Sequence, residues 1–407
     1  MKIAFIRPYT ATNFTTAPIP FVQPTPAFVG YTRKELVDIN RITGLNVGNL
    51  VHTEAPARIF EFDAEGSAVL NLARTASLRS IKWLAHKVNA NFDAVIFSTA
   101  NFIREETAFD TELAFFSHLK IPFYLFGAGA QTEALARHDN LKPALKRFLE
   151  IVDSDARLFA TRGHRTSSIL ADLGYKRSVP LGCPSFYAYP SSIFQIQAPK
   201  KPAVSKVITA GHLAARHGPG KRYLSLNEVF RTFPEKIKIN YVFQNELFWA
   251  EFEGDSENYF NPACMEIDRL WARRRFCQPR LDSLLRIDGF RYFPDTASWR
   301  MFVSTADMYF GDRIHGGVVC MQVGIPALVV YNDLRVQELT EHIAIPSIAH
   351  ADLAGKNFDG LLDEYLNEEA IIRMKRSYRS AAEEFFRRAS SAGLVVRQSN
   401  LLSLKET

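Results

Sequence analysis

Residues 307–342 read DMYFGDRIHGGVVCMQVGIPALVVYNDLRVQELTEH. Residues 307–310 are a short apolar run of the kind that makes a buried parallel strand. Gly311-Asp312-Arg313-Ile314-His315-Gly316-Gly317 turns the chain into a second apolar run, 318–323, which is expected to be helical. Gly324-Ile325-Pro326 stops that helix, and residues 327–330 read as the next strand. Strand, loop, helix, strand, loop, helix is the order of a doubly wound α/β domain.

The loop sets Arg313 and His315 two residues apart, ahead of Gly316 and Gly317, at an expected helix start. A helix start offers unpaired N–H groups and the positive end of the helix dipole. Arg313 adds a planar fork for phosphate or carboxylate. His315 can move a proton near neutral pH, and the glycines let a ligand approach the backbone. The set suits a small anion undergoing proton-coupled chemistry. From the loop alone a plainer account is equally open: an arginine in a surface ion pair and a histidine packed at a helix start.

The run RIHGGVVCMQVGIPALVVYND, followed by Leu334 and Arg335, resembles the signature of the polysaccharide pyruvyl transferase family. That signature is R-[IL]-H-G, a small-residue helix, G-[IV]-P and a strand ending near Tyr-x-x-Lys. The resemblance covers most of the chain and is strongest over residues 90–190 and 290–345. It implies transfer of the carboxyvinyl part of phosphoenolpyruvate onto a sugar, closed as a ketal. It also implies a glycosyltransferase-B-like pair of domains. Arg335 stands about where the family often has lysine, which keeps the charge and changes the donor geometry.

The chain has 407 residues, 47% of them hydrophobic and 23% charged, enough apolar material for two packed domains and too much for a disordered chain. A net charge of +6 fits anionic partners such as phosphorylated donors or lipid-linked sugars. The basic residues are scattered and carry no nucleic-acid motif, so nucleic acid is not an expected partner. Cys183, Cys264, Cys277 and Cys320 form no close ligand pair, so a reducing compartment is expected and a metal is not. No leader is read at the amino terminus, and no apolar run approaches the ~20 residues of a membrane span. A cytoplasmic setting is therefore expected. Arg373, Lys375, Arg376 and Arg379 read as a solvated helix face or, alternatively, as a peripheral membrane contact at the inner face.

Toward the amino terminus, strands are expected at residues 2–6, 93–97, 123–126, 158–160 and 179–181. Residues 10–28 are Thr- and Pro-rich and read as an irregular loop. Gly44-Leu45-Asn46-Val47-Gly48-Asn49 reads as a ligand cradle or as a turn and helix cap, and Pro56 argues against one continuous helix over 50–60. Ser98-Thr99-Ala100 stands where the family commonly has a glycine pair, leaving Asn101 as an edge contact. Gly127-Ala128-Gly129-Ala130-Gln131 resembles the family's G-x-G-x-Q segment and marks Gly127, Gly129 and Gln131 as ligand contacts at a strand's carboxyl end. It lacks the third glycine and the acidic partner of a dinucleotide fingerprint. Arg162 falls where the family has a strand-end arginine and reads as cleft-facing or as an ion-pair residue. The aspartate that follows it in the family is Gly163 here.

Residues 190–205 turn to Pro, Ser and Lys and mark a boundary. Residues 1–195 are read as an amino-terminal domain on the acceptor side, and 196–407 as a carboxyl-terminal domain carrying the donor loop. The second half opens with strands at 206–209 and 237–243. Residues 245–285, with Trp249, Tyr259, Trp271 and Arg273-Arg274-Arg275, read as an acceptor wall or as a peripheral insertion. A strand at 290–293, a helix at 296–304 capped by Asp295 and a long amphipathic helix at 368–388 complete the pattern.

The expected fold class is α/β, two doubly wound Rossmann-like domains facing a cleft. On the resemblance, Arg313 with the N–H groups of Gly316 and Gly317 would hold one anionic group of phosphoenolpyruvate, and Arg335 or Arg162 the other. His315 would carry the proton, a saccharide would be the acceptor, and no cofactor beyond the donor substrate is required. A nucleotide-sugar-dependent glycosyltransferase on the same architecture is the first alternative. An inactive binding protein of a polysaccharide assembly system is the second. The acceptor sugar, its linkage to lipid and the oligomeric state are not legible in the residues.

Overall fold

The structure is a computed structural model, and it describes residues 1–6, 46–70, 72, 78–130, 141–211, 221–246, 259–261, 263–276 and 286–405. Six parallel strands form the first sheet: β1 (Ile3–Ile6), β2 (Ala68–Leu70), β3 (Ala94–Ser98), β4 (Phe123–Ala128), β5 (Leu158–Thr161) and β6 (Ser178–Pro180). Their spatial order is β2-β1-β3-β4-β5-β6. The inner strands β1, β4 and β5 are buried along their whole length, and β3 at all but Phe97, as near-continuous apolar runs such as IAFI require. Helices α1 (Gly48–Ile59), α2 (Leu78–Asn91), α3 (Asp110–Phe116), α4 (Pro143–Asp155) and α5 (His164–Asp172) connect them.

After α6 (Pro190–Gln195) the chain builds a second sheet from β7 (Lys206–Thr209), β8 (Lys238–Phe243), β9 (Phe260–Asn261), β10 (Glu266–Ile267), β11 (Gly289–Tyr292), β12 (Met308–Gly311), β13 (Ala327–Tyr331) and β14 (Ser347–Ala349). Its order is β14-β13-β12-β7-β8-β11-β10-β9. The first six of these run parallel, and β10 and β9 add an antiparallel edge. Helices α7 (Lys221–Phe230), α8 (Arg269–Phe276), α9 (Thr296–Val303), α10 (Ile314–Met321) and α11 (Leu334–His342) accompany these strands. The two doubly wound α/β sheets expected from the sequence are present. Strand order reverses between β1 and β3 in the first sheet and between β7 and β12 in the second. Such reversals leave a crevice at the strands' carboxyl ends, and the Arg313–His315 loop leaves β12 at that end.

Helix α1 runs unbroken through Pro56, against the expectation that the proline would interrupt it. Pro56 has no N–H to give the carbonyl four residues back, which belongs to His52. The Ser98 hydroxyl, at the end of β3, donates to that carbonyl at 2.7 Å instead. The helix therefore survives on a bond from the neighbouring strand.

After α12 (Phe358–Glu364), the long α13 (Glu368–Ser391) and then α14 (Gln398–Lys405) return to the first sheet. Phe385 packs against Tyr187 and Phe126, with ring centroids 4.4 and 5.5 Å away. The Tyr124 hydroxyl donates to the Ala392 carbonyl at 3.0 Å, and the Arg397 N–H donates to the Ile59 carbonyl at 2.9 Å. No described helix is long and apolar enough to cross a membrane.

A buried polar lock joins the two halves. Glu54 of α1 meets Arg300 of α9 at 2.9 Å, accepts from the Thr296 hydroxyl and pairs with Arg58 at 2.7 Å. Burial pushes the Glu54 carboxyl up, but Arg300, Arg58 and the Thr296 hydroxyl outweigh it and hold the pKa below the usual value. Arg300 also donates to the Gln322 side-chain oxygen, Oε1, at 3.1 Å, and Gln322 Nε2 donates to the Ser185 backbone carbonyl at 2.9 Å. Removing one member of a buried pair strands the other charge. Arg300→Met should therefore lower stability by about 3–5 kcal/mol, read as a fall in the urea midpoint. Glu54→Leu combined with Arg300→Met should recover much of the loss. A single variant as stable as the parent would contradict the lock.

Candidate functional site

The carboxyl ends of the two sheets meet at a cavity of about 120 Å³. Asn101 and Arg162 reach it from the first sheet, and Arg313, His315 and Arg335 from the second. Five residues separated by up to 234 positions in the sequence, and singled out there, share one hollow.

Arg162 follows β5 and is only 3% exposed. Its Nε donates to the Gly127 carbonyl at 3.1 Å and its Nη1 to the Asn101 side-chain oxygen at 2.9 Å. Nη2 is buried and has no partner among the described residues. No carboxylate lies within ion-pair distance of this guanidinium among the described residues. Asn101 therefore orients the arginine, and Arg162 is the free donor.

Gly127 and Gly129 stand behind that arginine, which corrects their expected role as ligand contacts. Gly127 has φ +73°, a conformation that favours glycine, and its carbonyl takes the Arg162 bond. A Cβ on Gly129 would come within 2.8 Å of both Arg162 Cδ and Asn101 Oδ1. The glycines make room for the side chains that reach the cavity. Gln131 lies outside the described residues.

Arg313 precedes α10. Its Nη2 donates to Asn245 Oδ1 at 2.6 Å and lies 3.6 Å from buried Glu246. Glu246 is itself fixed by the Tyr241 hydroxyl and by the backbone N–H groups of Gln244 and Asn245. Arg335 is gripped by Asp333, the N-cap of α11, at 2.8 and 3.2 Å. Both arginines arrive pre-oriented, and each already shares its charge with a carboxylate.

Gly316 and Gly317 do not offer their N–H groups, which corrects the second expectation. Helix α10 starts at Ile314, a turn earlier than the apolar run implied, so both N–H groups turn back on the Arg313 carbonyl at 2.9 and 3.4 Å. A Cβ on either glycine would press on the Tyr309 ring, at 2.9 and 3.2 Å. Their smallness lets the helix lie on β12.

His315 is buried, and its Nε2 has no partner among the described residues. Burial, then the charges of Arg162 and Arg313, push its pKa down to about 3. Burial, with those two charges adding to it, thus favours the neutral imidazole. His52 of α1 lies beside it with ring centroids 5.5 Å apart. The Ser98 hydroxyl has committed its proton to the His52 carbonyl, so at 3.3 Å it can only accept from His52 Nδ1. That fixes the His52 tautomer with Nε2 bare. Burial first, then His315 and Arg162, hold His52 well below the ordinary histidine range.

The family model of polysaccharide pyruvyl transferases matches residues 48–333, most of the chain and both sheets of the site. The chain belongs to the polysaccharide pyruvyl transferase family. A comparison with curated proteins finds no match. Among solved structures, the UDP-GlcNAc 2-epimerase of Neisseria meningitidis, bound to UDP-GlcNAc, is 13% identical, covering 95% of this chain and 100% of that one at a TM-score of 0.46. A putative UDP-N-acetylglucosamine 2-epimerase of Listeria monocytogenes is 15% identical, covering 96% of each chain at 0.47. The glycosyltransferase SnogD of Streptomyces nogalater is 12% identical, covering 96% and 99% at 0.36.

Two departures from the family's pattern have local causes. Ser98 opens the Ser98-Thr99-Ala100 stretch that stands where the family commonly has a glycine pair, and it supplies the hydroxyl that Pro56 makes necessary. Gly163 stands in place of an aspartate, and a Cβ there would overlap Glu338 of α11. Glu338 accepts from the Thr166 N–H at 2.7 Å and from its hydroxyl at 2.8 Å, capping α5 from the opposite sheet. A carboxylate absent from position 163 is thus present in space. Of residues 245–285, Asn245 and Glu246 serve the site through Arg313, while Tyr259 and Trp271 stack on each other at 4.1 Å away from the cavity lining. Trp249 lies outside the described residues. Sequence reading missed His52, Glu338 and Gln244. The signals were a histidine four residues before a helix proline and a polar side chain directly after a buried strand.

His52, His315 and His342 all have folded-state pKa values below the unfolded value of 6.5, His342 at about 4 through burial and then His164. Between pH 6.5 and 4 the unfolded chain binds protons that the folded chain refuses, so stability is present at neutral pH and lost as pH falls. Each such histidine contributes a slope of about 1.4 kcal/mol per pH unit at most. Urea midpoints from pH 7 to 4.5 should fall less steeply for His342→Gln than for the parent. An unchanged slope would contradict the assignment.

Proposed function

We propose that the chain transfers the carboxyvinyl group of phosphoenolpyruvate to a saccharide and closes it as a pyruvate ketal. The observation that carries this reading is Arg162, a buried guanidinium that lines the same cavity as His315 and has no carboxylate at ion-pair distance among the described residues. A buried charge left unpaired costs several kcal/mol, and an anionic ligand offsets it. Phosphoenolpyruvate has two anionic ends, which suits Arg162 on one sheet and Arg313 with Arg335 on the other.

The donor also changes His315. Its negative charge offsets the field of the arginines, which adds to burial in holding the imidazole's pKa down, so the pKa rises once donor is bound. His315 can then pass a proton to the methylene carbon, which becomes a methyl group, and the central carbon turns electrophilic. A sugar hydroxyl bonds to that carbon and loses its proton. The bond from the carbon to the phosphate oxygen breaks, and a second hydroxyl closes the ketal. Of the two hydroxyl protons, one is balanced by the new methyl C–H and the other leaves with phosphate. The arginines stabilise the departing phosphate. The three free cysteines among the described residues fit the cytoplasmic setting proposed with this reading.

The test is free-phosphate release from phosphoenolpyruvate and a panel of glycans, with parallel samples of UDP-sugars assayed for UDP. His315→Ala should lower phosphate release about a hundredfold or more while phosphoenolpyruvate still binds. Arg162→Ala should weaken phosphoenolpyruvate binding itself. UDP release without phosphate release, or parental activity in both variants, would refute the proposal.

A further inference from the structure

Resting on phosphoenolpyruvate as donor, we infer that Gln244 is the residue that receives the acceptor, holding a saccharide hydroxyl beside His315. Gln244 follows β8 directly and is 1% exposed, yet it lines the cavity. Its Nε2 is buried without a partner, and its side chain makes no hydrogen bond among the described residues. A buried amide left in that state is unfavourable until a ligand bonds it. The backbone around it, by contrast, is fixed. The Val47 N–H donates to its carbonyl at 3.0 Å across the seam, and its own N–H donates to Glu246 at 2.9 Å. Position is enforced while the amide is left open.

Gly48 sets what that amide faces. A Cβ on Gly48 would come 2.6 Å from Gln244 Oε1 and 3.2 Å from His315 Nδ1. The amide and the imidazole therefore pack over the same bare Cα at the start of α1. A group bonded to one lies beside the other, as proton transfer requires.

The chemistry selects the ligand. A carboxylate or phosphate only accepts, so it would use the amide N–H and press its charge on the amide oxygen. A hydroxyl both donates and accepts, which matches a neutral amide. Asn46 and Asn49 line the same cavity, and a Cβ on Gly48 would also come 2.9 Å from Asn46 Oδ1, so a second amide stands beside that of Gln244. The cations suit the donor, and the amides suit a polyhydroxylated acceptor.

Gln244→Met keeps the shape and removes the amide, and Gln244→Leu serves if the first variant does not fold. Binding of methyl hexopyranosides of gluco, galacto and manno configuration would be read by saturation-transfer NMR, and binding of phosphoenolpyruvate by calorimetry, on parent and variant. At least one glycoside should bind the parent and bind the variant about tenfold more weakly, the scale of one lost hydrogen bond, with phosphoenolpyruvate affinity within about twofold. Equal glycoside binding in both proteins would overturn the inference. So would an equal loss of phosphoenolpyruvate affinity, or a parent that binds none of the glycosides. A parent that binds glycoside through Gln244 but not phosphoenolpyruvate would overturn the donor reading and leave the acceptor subsite standing.

Discussion

A guanidinium buried between two sheets, with no carboxylate at ion-pair distance among the described residues, is the constraint from which the site follows. Solvent cannot screen Arg162, and the described protein does not neutralise it. Burial first, and then its charge, hold the pKa of His315 well below the ordinary histidine range. Arg313 reinforces the effect from the other side. The site is thus a hollow lined by three arginines around a buried imidazole. On the proposed reading, a bound anion changes the charge of the hollow and the pKa of the imidazole together, and so couples binding to proton transfer.

The hollow holds its shape because the two sheets are tied at several depths. The Glu54–Arg300 pair locks α1 to α9, Glu338 of α11 caps α5, and the Val47–Gln244 backbone bond closes the seam beside the cavity. Helix α13 then brings the carboxyl-terminal part of the chain back onto the first sheet. Small residues set the distances. Gly129 admits Arg162, Gly48 admits Gln244 and His315, and Gly163 admits Glu338. At each of these a methyl group would displace a functional or capping side chain.

Much of this was legible in sequence because the signals were local. Apolar runs of strand length ending in polar or glycine loops gave both sheets, and Arg162, Arg313, His315 and Arg335 each sit just beyond a strand, where such folds place ligands. The errors came from partners distant in sequence. Pro56 breaks a helix only if the orphaned carbonyl stays orphaned, and Ser98, forty-two residues on, answers it. Gly316 and Gly317 looked like ligand contacts because the helix was begun too late, and only the start at Ile314 shows their N–H groups in use. Gly127 and Gly129 serve the site at one remove, through Arg162. Gln244 carried no motif at all, because its significance is the absence of a partner, which a sequence does not record.

The most direct measurement of this account is the protonation of His315 itself, followed by imidazole nitrogen-15 shifts against pH with and without saturating phosphoenolpyruvate. In the free protein the ring should stay neutral from pH 8 down to 5, because burial and two arginines oppose its protonation. With donor bound, the titration should move up by at least about one pH unit, the sign expected when an anion offsets neighbouring cations. A His315 that titrates near 6.5 in the free protein, or one indifferent to phosphoenolpyruvate, would contradict the account.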